Sequence, residues 1–260
     1  MGPLFVGRVF RPGTLGLLIL LASFVGAACD AEVKRDDRPS RTERRLDEQL
    51  TPASTIQLKE GIAAAIVIDV SGSMKEEVEG ADGREERKIE IARRAARDLV
   101  EQFARYADDH KQDSVLLGIY EFSERDGKDD CRPVIPMAPP DRNRADRALA
   151  SLRADGGTPI GNAMIFAKRE LDATGLTRKH LLVVTDGENT DGFDPDDVAA
   201  AFNRRPEAER PSLYFVAFDI EASRFTRVKD AGALVLGAAN AKELNSRLDA
   251  LLRGNILLEK

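Results

Sequence analysis

The chain has no tryptophan, two cysteines and two histidines in 260 residues, and aromatics make up only 5% of it. Two cysteines, Cys29 and Cys131, are too few for a scaffold built on disulfides. Neither shows the clustered Cys/His spacing of a zinc site. The histidines, His110 and His180, stand isolated at an expected helix end and strand start, and neither is assigned any chemistry. A dense basic patch is also missing, and the formal net charge is −6. Duplex binding rests on phosphate neutralisation, so this balance argues against nucleic acid as the main partner. Finally, the longest apolar run, Thr14 to Ala28, falls short of the ~20 residues of a spanning helix.

What is present, 42% hydrophobic and 32% charged residues, suits one sizeable core with extensions. The N-terminus differs in kind. Arg8 and Arg11 precede the apolar run, small residues close it, and Cys29 and Asp30 open a charged stretch, which is the layout of an export signal over residues 1–28. The small residues before Cys29 resemble a bacterial lipoprotein signal, in which that cysteine becomes the lipid-bearing first residue of the mature chain. Gly26 stands where such signals usually carry leucine, so plain cleavage after Ala28 or Ala27 stays open. The expectation is an exported protein, anchored by lipid on the outer face of a bacterial membrane or in the periplasm, or otherwise secreted. A bridge between Cys29 and Cys131 stays open if Cys29 carries no lipid.

From Asp30 to Glu48 seven acidic and six basic residues mix with few apolar ones. Such a stretch buries too little surface to fold on its own, so residues 29–57 read as a flexible tether, with a short amphipathic piece at Leu46 to Leu50. About 28 flexible residues reach about 30 Å, enough to hold a domain clear of a membrane.

Residues 58–255 read as one domain, leaving 256–260 as a tail. Ile62 to Ile68 is a nearly unbroken apolar run, the mark of a buried parallel strand, and it ends in Asp69-Val-Ser-Gly-Ser73. Glu85 to about Tyr106 carries Ile89, Ala92, Ala96, Leu99, Val100 and Phe103 at helical spacing, with Arg and Glu forming its wet face. Asp113 to Phe122 is a second strand, and Pro133 to Met137 a short edge strand, because prolines donate no ladder hydrogen bond. A short helix over 141–152 precedes the loop Asp155 to Gly161. There Thr158 in the N-cap place and Pro159 at the first helical position start a helix reaching about Asp172. His180 to Thr185 is a third apolar run, ending in Asp186. Helix 195–202, strand 212–218 ending at Asp219, a short helix 222–229, strand 233–236 and helix 241–252 complete the order. This alternation predicts an α/β fold: a doubly wound, mostly parallel six-stranded sheet with one short antiparallel edge strand and helices on both faces.

Ligands gather beyond the carboxyl ends of such strands. Three loops converge there and bring Asp69, Ser71 and Ser73, then Thr158, then Asp186. All their donors are oxygen, which suits a hard divalent cation, Mg²⁺ or Mn²⁺ ahead of Ca²⁺. Zinc would recruit His or Cys. Glu188, Asp191 and Asp194 read as solvated loop charges, and Asp219 as a cap.

Asp69-Val-Ser-Gly-Ser73, Gly156-Gly-Thr-Pro159 and Val184-Thr-Asp-Gly-Glu188 resemble the metal-ion-dependent adhesion site of von Willebrand factor type A domains, a resemblance covering about residues 60 to 253. It implies that Ser71, Ser73 and Thr158 bind the metal directly, with Asp69 and Asp186 acting directly or through water. Neutral hydroxyls leave the cation's charge less compensated, so it attracts a Glu or Asp side chain of a partner protein. The resulting expectation is a binding module for adhesion or complex assembly, with no catalytic residue. The rival readings are an assembly chaperone of a membrane complex and a metal-dependent phosphatase. Aspartyl-phosphate phosphatases need a second carboxylate where Ser71 stands, and the only lysine near in sequence is Lys75.

Overall fold

The computed structural model describes residues 39–51 and 57–258. The expected signal segment, Cys29 and the first part of the tether lie outside them. Among the described residues no helix is long and apolar enough to cross a membrane.

Helix α1 (Arg41–Leu50) leads into β1 (Lys59–Asp69), a 3₁₀ turn (Gly72–Lys75), the short strands β2 (Glu77–Glu79) and β3 (Glu85–Arg87), and the long helix α2 (Lys88–Asp109). Then come β4 (Val115–Arg125), β5 (Lys128–Ala138), α3 (Arg142–Leu149), α4 (Ile160–Ala173), β6 (Leu176–Thr185) and α5 (Pro195–Arg204). Strand β7 (Ser212–Phe218), α6 (Thr226–Asp230), β8 (Leu234–Ala238) and α7 (Ala241–Leu251) close the chain. Six strands form one sheet in the order β5-β4-β1-β6-β7-β8, with only β5 antiparallel. The chain runs from β1 to its neighbour β4 on one side, then from β6 to β7 on the other. That reversal makes the gap between the ends of β1 and β6 the topological switch point, where open sheets bind ligands.

Alternation along β1 explains why it is apolar throughout. Ile62, Ala64, Ile66 and Ile68 join the core under α2, α3 and α7, while Ala63, Ala65 and Val67 face α4, α5 and α1. The edge strand β5 is longer than its prolines suggest. The turn Asp126-Gly127, both at positive φ (54° and 72°), closes a tight hairpin with β4, and the register slips near Ile119 and Tyr120 accommodate Pro133 and Pro136. Helix α2 starts later than its periodicity indicates, because Glu85 to Arg87 pair with Glu77 to Glu79 as a small antiparallel ribbon.

The reading of residues 29–57 as a flexible tether fails over α1 (Arg41–Leu50), which is a docked helix. Ser40 and Glu43 form a capping box: Ser40 Oγ accepts from the Glu43 N–H at 3.1 Å, and Glu43 Oε2 accepts from the Ser40 N–H at 2.7 Å. Leu46 and Leu50, one turn apart, are buried in the core beside α4 and α5. Arg169 donates to the Gln49 carbonyl at 3.0 Å, and Arg204 faces Glu43 and Asp47 at 3.7 Å each. Charge dominates the composition of this segment, but two leucines on one face suffice once a core is there to receive them. At the other end the core continues through Ile256, one residue past the expected boundary.

Candidate metal centre

Strand β1 delivers Asp69 fully buried at its carboxyl end. Its Oδ1 accepts from the Ser71 N–H at 2.8 Å, which folds the chain back, and the 3₁₀ turn that follows presents Ser73 beside Ser71 (Oγ to Oγ, 3.1 Å). Ser73 Oγ donates to Asp186 Oδ1 at 2.8 Å, so the first and third loops meet directly.

The second loop is stitched to the first. The Gly72 N–H donates to the Gly156 carbonyl at 2.8 Å, and Asp155 N–H to the Val70 carbonyl at 2.6 Å. Gly156 has φ +86°, and a Cβ on it would lie 1.7 Å from the Glu124 carbonyl, so only glycine can stand there. Thr158 follows, with its N–H donating to Thr190 Oγ1 at 2.8 Å and its carbonyl accepting from the Thr190 N–H at 3.1 Å. These bonds hold Thr158 out of helical register. The N-cap of α4 is therefore Pro159, without any side-chain cap, and not Thr158 as its sequence position indicates. The Thr158 hydroxyl makes no hydrogen bond to any described residue. A Cβ on Gly187 would lie 3.4 Å from Thr158 Oγ1 and 4.0 Å from Ser73 Oγ, which brings all three loops to one spot.

Two residues that sequence reasoning missed complete the cluster. Thr185 Oγ1 donates to Asp69 Oδ2 at 2.5 Å and accepts from the Gly187 N–H at 3.2 Å. Lys88, whose side chain is 3% exposed, donates to Asp186 Oδ2 at 3.0 Å and also meets Glu76 and Asp219, each at 2.9 Å. Thr185 was visible as the neighbour of Asp186. Lys88 gave no signal, standing among the Arg and Glu of a helix that reads as wet. Lys75, nearest in sequence, turns away to Asp155 at the surface. Asp219 is no simple cap, because its carboxylate is a partner of Lys88. Glu188 and Asp191 stay on the third loop, where Glu188 pairs with Arg224 and Asp191 accepts from Thr190.

Burial pushes the Asp69 carboxyl up to about 7, and the negative charge of Asp186 adds to the shift against the hydrogen bonds from Ser71 and Thr185. Burial likewise raises Asp186, opposed by Ser73 and Lys88. For Lys88 burial pulls downward, but Asp219, Glu76 and Asp186 outweigh it and hold the ammonium above the ordinary lysine range. The donor set fits a hard dication. It offers two buried carboxylates that raise one another's energy, two adjacent serine hydroxyls, and a threonine hydroxyl with no bond to another described residue. Among the described residues no three His, Cys, Asp or Glu gather as a metal cluster. Three of the five donors here are hydroxyls.

A doubly wound α/β domain with hydroxyls and carboxylates converging at its switch point defines the class. Residues 64–188 match the family model of the von Willebrand factor type A domain, and the chain carries a domain of that family. It is 26% identical over 153 residues to the uncharacterized protein YwmD of Bacillus subtilis (strain 168), which covers 56% of this chain and 63% of that protein. Among solved structures, a von Willebrand factor type A protein from Catenulispora acidiphila superposes with a TM-score of 0.56 at 22% identity, over 74% of this chain and 42% of that one. The conserved hypothetical protein BatB from Bacteroides thetaiotaomicron gives 0.54 at 18% identity, over 74% of this chain and all of its own. At these identities the structural likeness is one of fold.

Proposed function

We propose that this domain binds a protein partner through a divalent cation, Mg²⁺ or Mn²⁺ ahead of Ca²⁺, held by Asp69, Ser71, Ser73, Thr158 and Asp186. The observation that carries the reading is the convergence of three loops on a buried pair of carboxylates, with the Thr158 hydroxyl bonded to no described residue. A dication bound there supplies an open position for a Glu or Asp side chain of the partner. The chain's own residues do the rest. Thr185 and the Ser71 N–H fix both oxygens of Asp69, and Ser73 and Lys88 fix those of Asp186. Binding without turnover is the better reading, since the place of a second carboxylate is taken by Ser71 and the nearby lysine is engaged by three carboxylates. Export and a lipid tether at Cys29 belong to the same proposal, supported by the N-terminal charge and hydropathy pattern.

Pull-down from the native organism, with and without EDTA and with Asp69→Ala, tests the proposal. Partner capture lost under both treatments is the expected result, and capture indifferent to both overturns it. Mass spectrometry of the mature N-terminus tests the tether, a diacylglyceryl adduct on Cys29 being expected.

A further inference from the structure

In a chain with 45 acidic and 39 basic residues, one cleft is lined mainly by cations. It lies between the 3₁₀ turn, the start of α2 and the segment that follows α3, and it encloses about 590 Å³. Lys75, Arg87, Arg93 and Arg153 line it, and among the described residues Glu90 is the one carboxylate that does. Between the charges the lining is apolar, from Ile89, Ala150 and Ala154.

Two of the cations are answered within the protein. Arg93 grips Glu90 at 2.6 and 2.7 Å and also donates to the Leu152 carbonyl, while Lys75 meets Asp155 at 3.1 Å. The others are oriented but not neutralised. Arg153 donates to the carbonyls of Ala150 and Leu152, each at 2.8 Å, and Arg125 reaches the Arg153 carbonyl at 2.9 Å. Neither forms an ion pair among the described residues, and nor does Arg87. Glu77 stands opposite Arg87 in the β2–β3 ribbon without pairing with it, and even with Glu77 counted, five cations face three carboxylates. A guanidinium held by neutral carbonyls keeps its charge and its planar fork for a carboxylate from outside.

The cleft adjoins the candidate metal centre. Lys75 lies two residues beyond Ser73 and Ala154 four before Thr158, and the Gly72–Gly156 and Asp155–Val70 backbone bonds, 2.8 and 2.6 Å, lock these two loops together. On the other side of the centre the third loop carries Glu188, Asp191 and Asp194. Charge therefore favours one course for an acidic chain crossing the domain.

We infer that this cleft takes an acidic segment of the partner protein, continuous with the residue whose carboxylate reaches the metal. That continuity rests on the proposed centre at Asp69, Ser71, Ser73, Thr158 and Asp186, whereas the charge of the cleft does not depend on it. A concave, partly apolar groove receives the stems and carboxylates of an extended peptide together. A flat membrane surface cannot enter it, and its apolar lining offers nothing to a phosphodiester backbone.

Fluorescence anisotropy of a fluorescein-labelled oligoglutamate peptide, titrated with the full chain at low ionic strength in Mg²⁺ and again in EDTA, tests this. Arg87→Glu/Arg153→Glu is expected to weaken binding about tenfold or more in Mg²⁺, and the weaker binding in EDTA shows the same dependence. Lys229→Glu/Lys242→Glu, an equal change of charge at exposed sites on the β8 side, costs less than about twofold. If the reversal lowers the melting temperature, Arg87→Gln/Arg153→Gln decides, with a loss of about threefold or more expected. No binding by the parent, equal affinity in the cleft variants, or an equal loss in the control pair overturns the inference. A loss confined to Mg²⁺ overturns it too, because the arginines then act through the metal. So does tighter binding of an oligothymidylate or of phosphatidylglycerol vesicles that is lost in the same variant. Binding that depends on Arg87 and Arg153 but ignores EDTA supports the cleft and sinks the metal centre. Binding abolished by EDTA and indifferent to the two arginines does the reverse.

Discussion

Thr185 Oγ1, at the end of β6, donates a 2.5 Å hydrogen bond to Asp69 Oδ2 at the end of the neighbouring strand β1. The bond ties together the two strands that flank the switch point and fixes which face of the Asp69 carboxylate is left for a ligand. Thr185→Val keeps the shape and removes the donor, leaving a buried carboxylate oxygen short of a partner. A loss of about 1–3 kcal/mol in apo stability is expected, with a five- to hundredfold weaker Mn²⁺ affinity. Thr185→Ser restores most of both. Urea denaturation and calorimetry read the two quantities, and Val and Ser variants of equal affinity would remove Thr185 from the site.

Thr158 separates a ligand from a structural residue. Its hydroxyl caps no helix and bonds no described residue, while its N–H and carbonyl are held by Thr190. Thr158→Val therefore leaves metal-free stability within about 0.5 kcal/mol of the parent and weakens Mn²⁺ binding tenfold or more. A variant that loses stability but keeps its metal affinity would return Thr158 to a purely structural role.

Gly187 faces the cradle, and a methyl there would sit 3.4 Å from Thr158 Oγ1 and 4.0 Å from Ser73 Oγ. These are ordinary contacts, so Gly187→Ala folds. The methyl crowds the place where the hydroxyls converge, and Mn²⁺ affinity drops at least tenfold, about 1.4 kcal/mol. Unchanged affinity in this variant would mean that the ion sits elsewhere.

Helix α1 belongs to the domain's stability. Leu46→Ala removes a fully buried side chain and costs about 2–5 kcal/mol, and Ser40→Ala removes the capping box for about 1 kcal/mol. Urea denaturation measures both. A tether would show neither loss.

His180 is buried, and burial, with Arg178 nearby, pushes its imidazole down to about 4. As pH falls the unfolded chain, with histidine near 6.5, takes up the proton before the folded one does. Its contribution to stability is complete above pH 6.5 and is lost between pH 6.5 and about 4, at about 1.4 kcal/mol per pH unit. Asp69 titrates with the opposite sign, since its raised carboxyl keeps a proton that the unfolded chain releases. Subtracting the pH profile of His180→Asn from the parent's removes that contribution and leaves the histidine slope, and parallel profiles would refute it.

The fold was legible because its strands are the apolar runs. Ile62 to Ile68, His180 to Thr185 and Ser212 to Phe218 are buried on both faces and cannot be mistaken for helix surface. The three loops were legible because hydroxyls and carboxylates stand where those runs stop. The β2–β3 ribbon was not, since Glu77-Val-Glu79 and Glu85-Glu-Arg87 bury almost nothing except Val78. Helix α1 was hidden by charge, although Ser40-Arg-Thr-Glu43 carries a cap signature that could have revealed it. Lys88 was hidden more deeply. Its three partners come from positions 12, 98 and 131 residues away in the chain, and only the folded sheet brings them to one point.

Asp69 ends β1 and Asp186 directly follows β6, the two innermost strands of the sheet, each hydrogen-bonded on both sides. A pull on anything gripped between them is delivered to the middle of the sheet and not to an edge. To give way, either strand must slide against two parallel neighbours at once, breaking whole ladders together, whereas an edge strand such as β8 can be peeled off one bond at a time. A load applied at these two residues would thus enter the sheet at its centre.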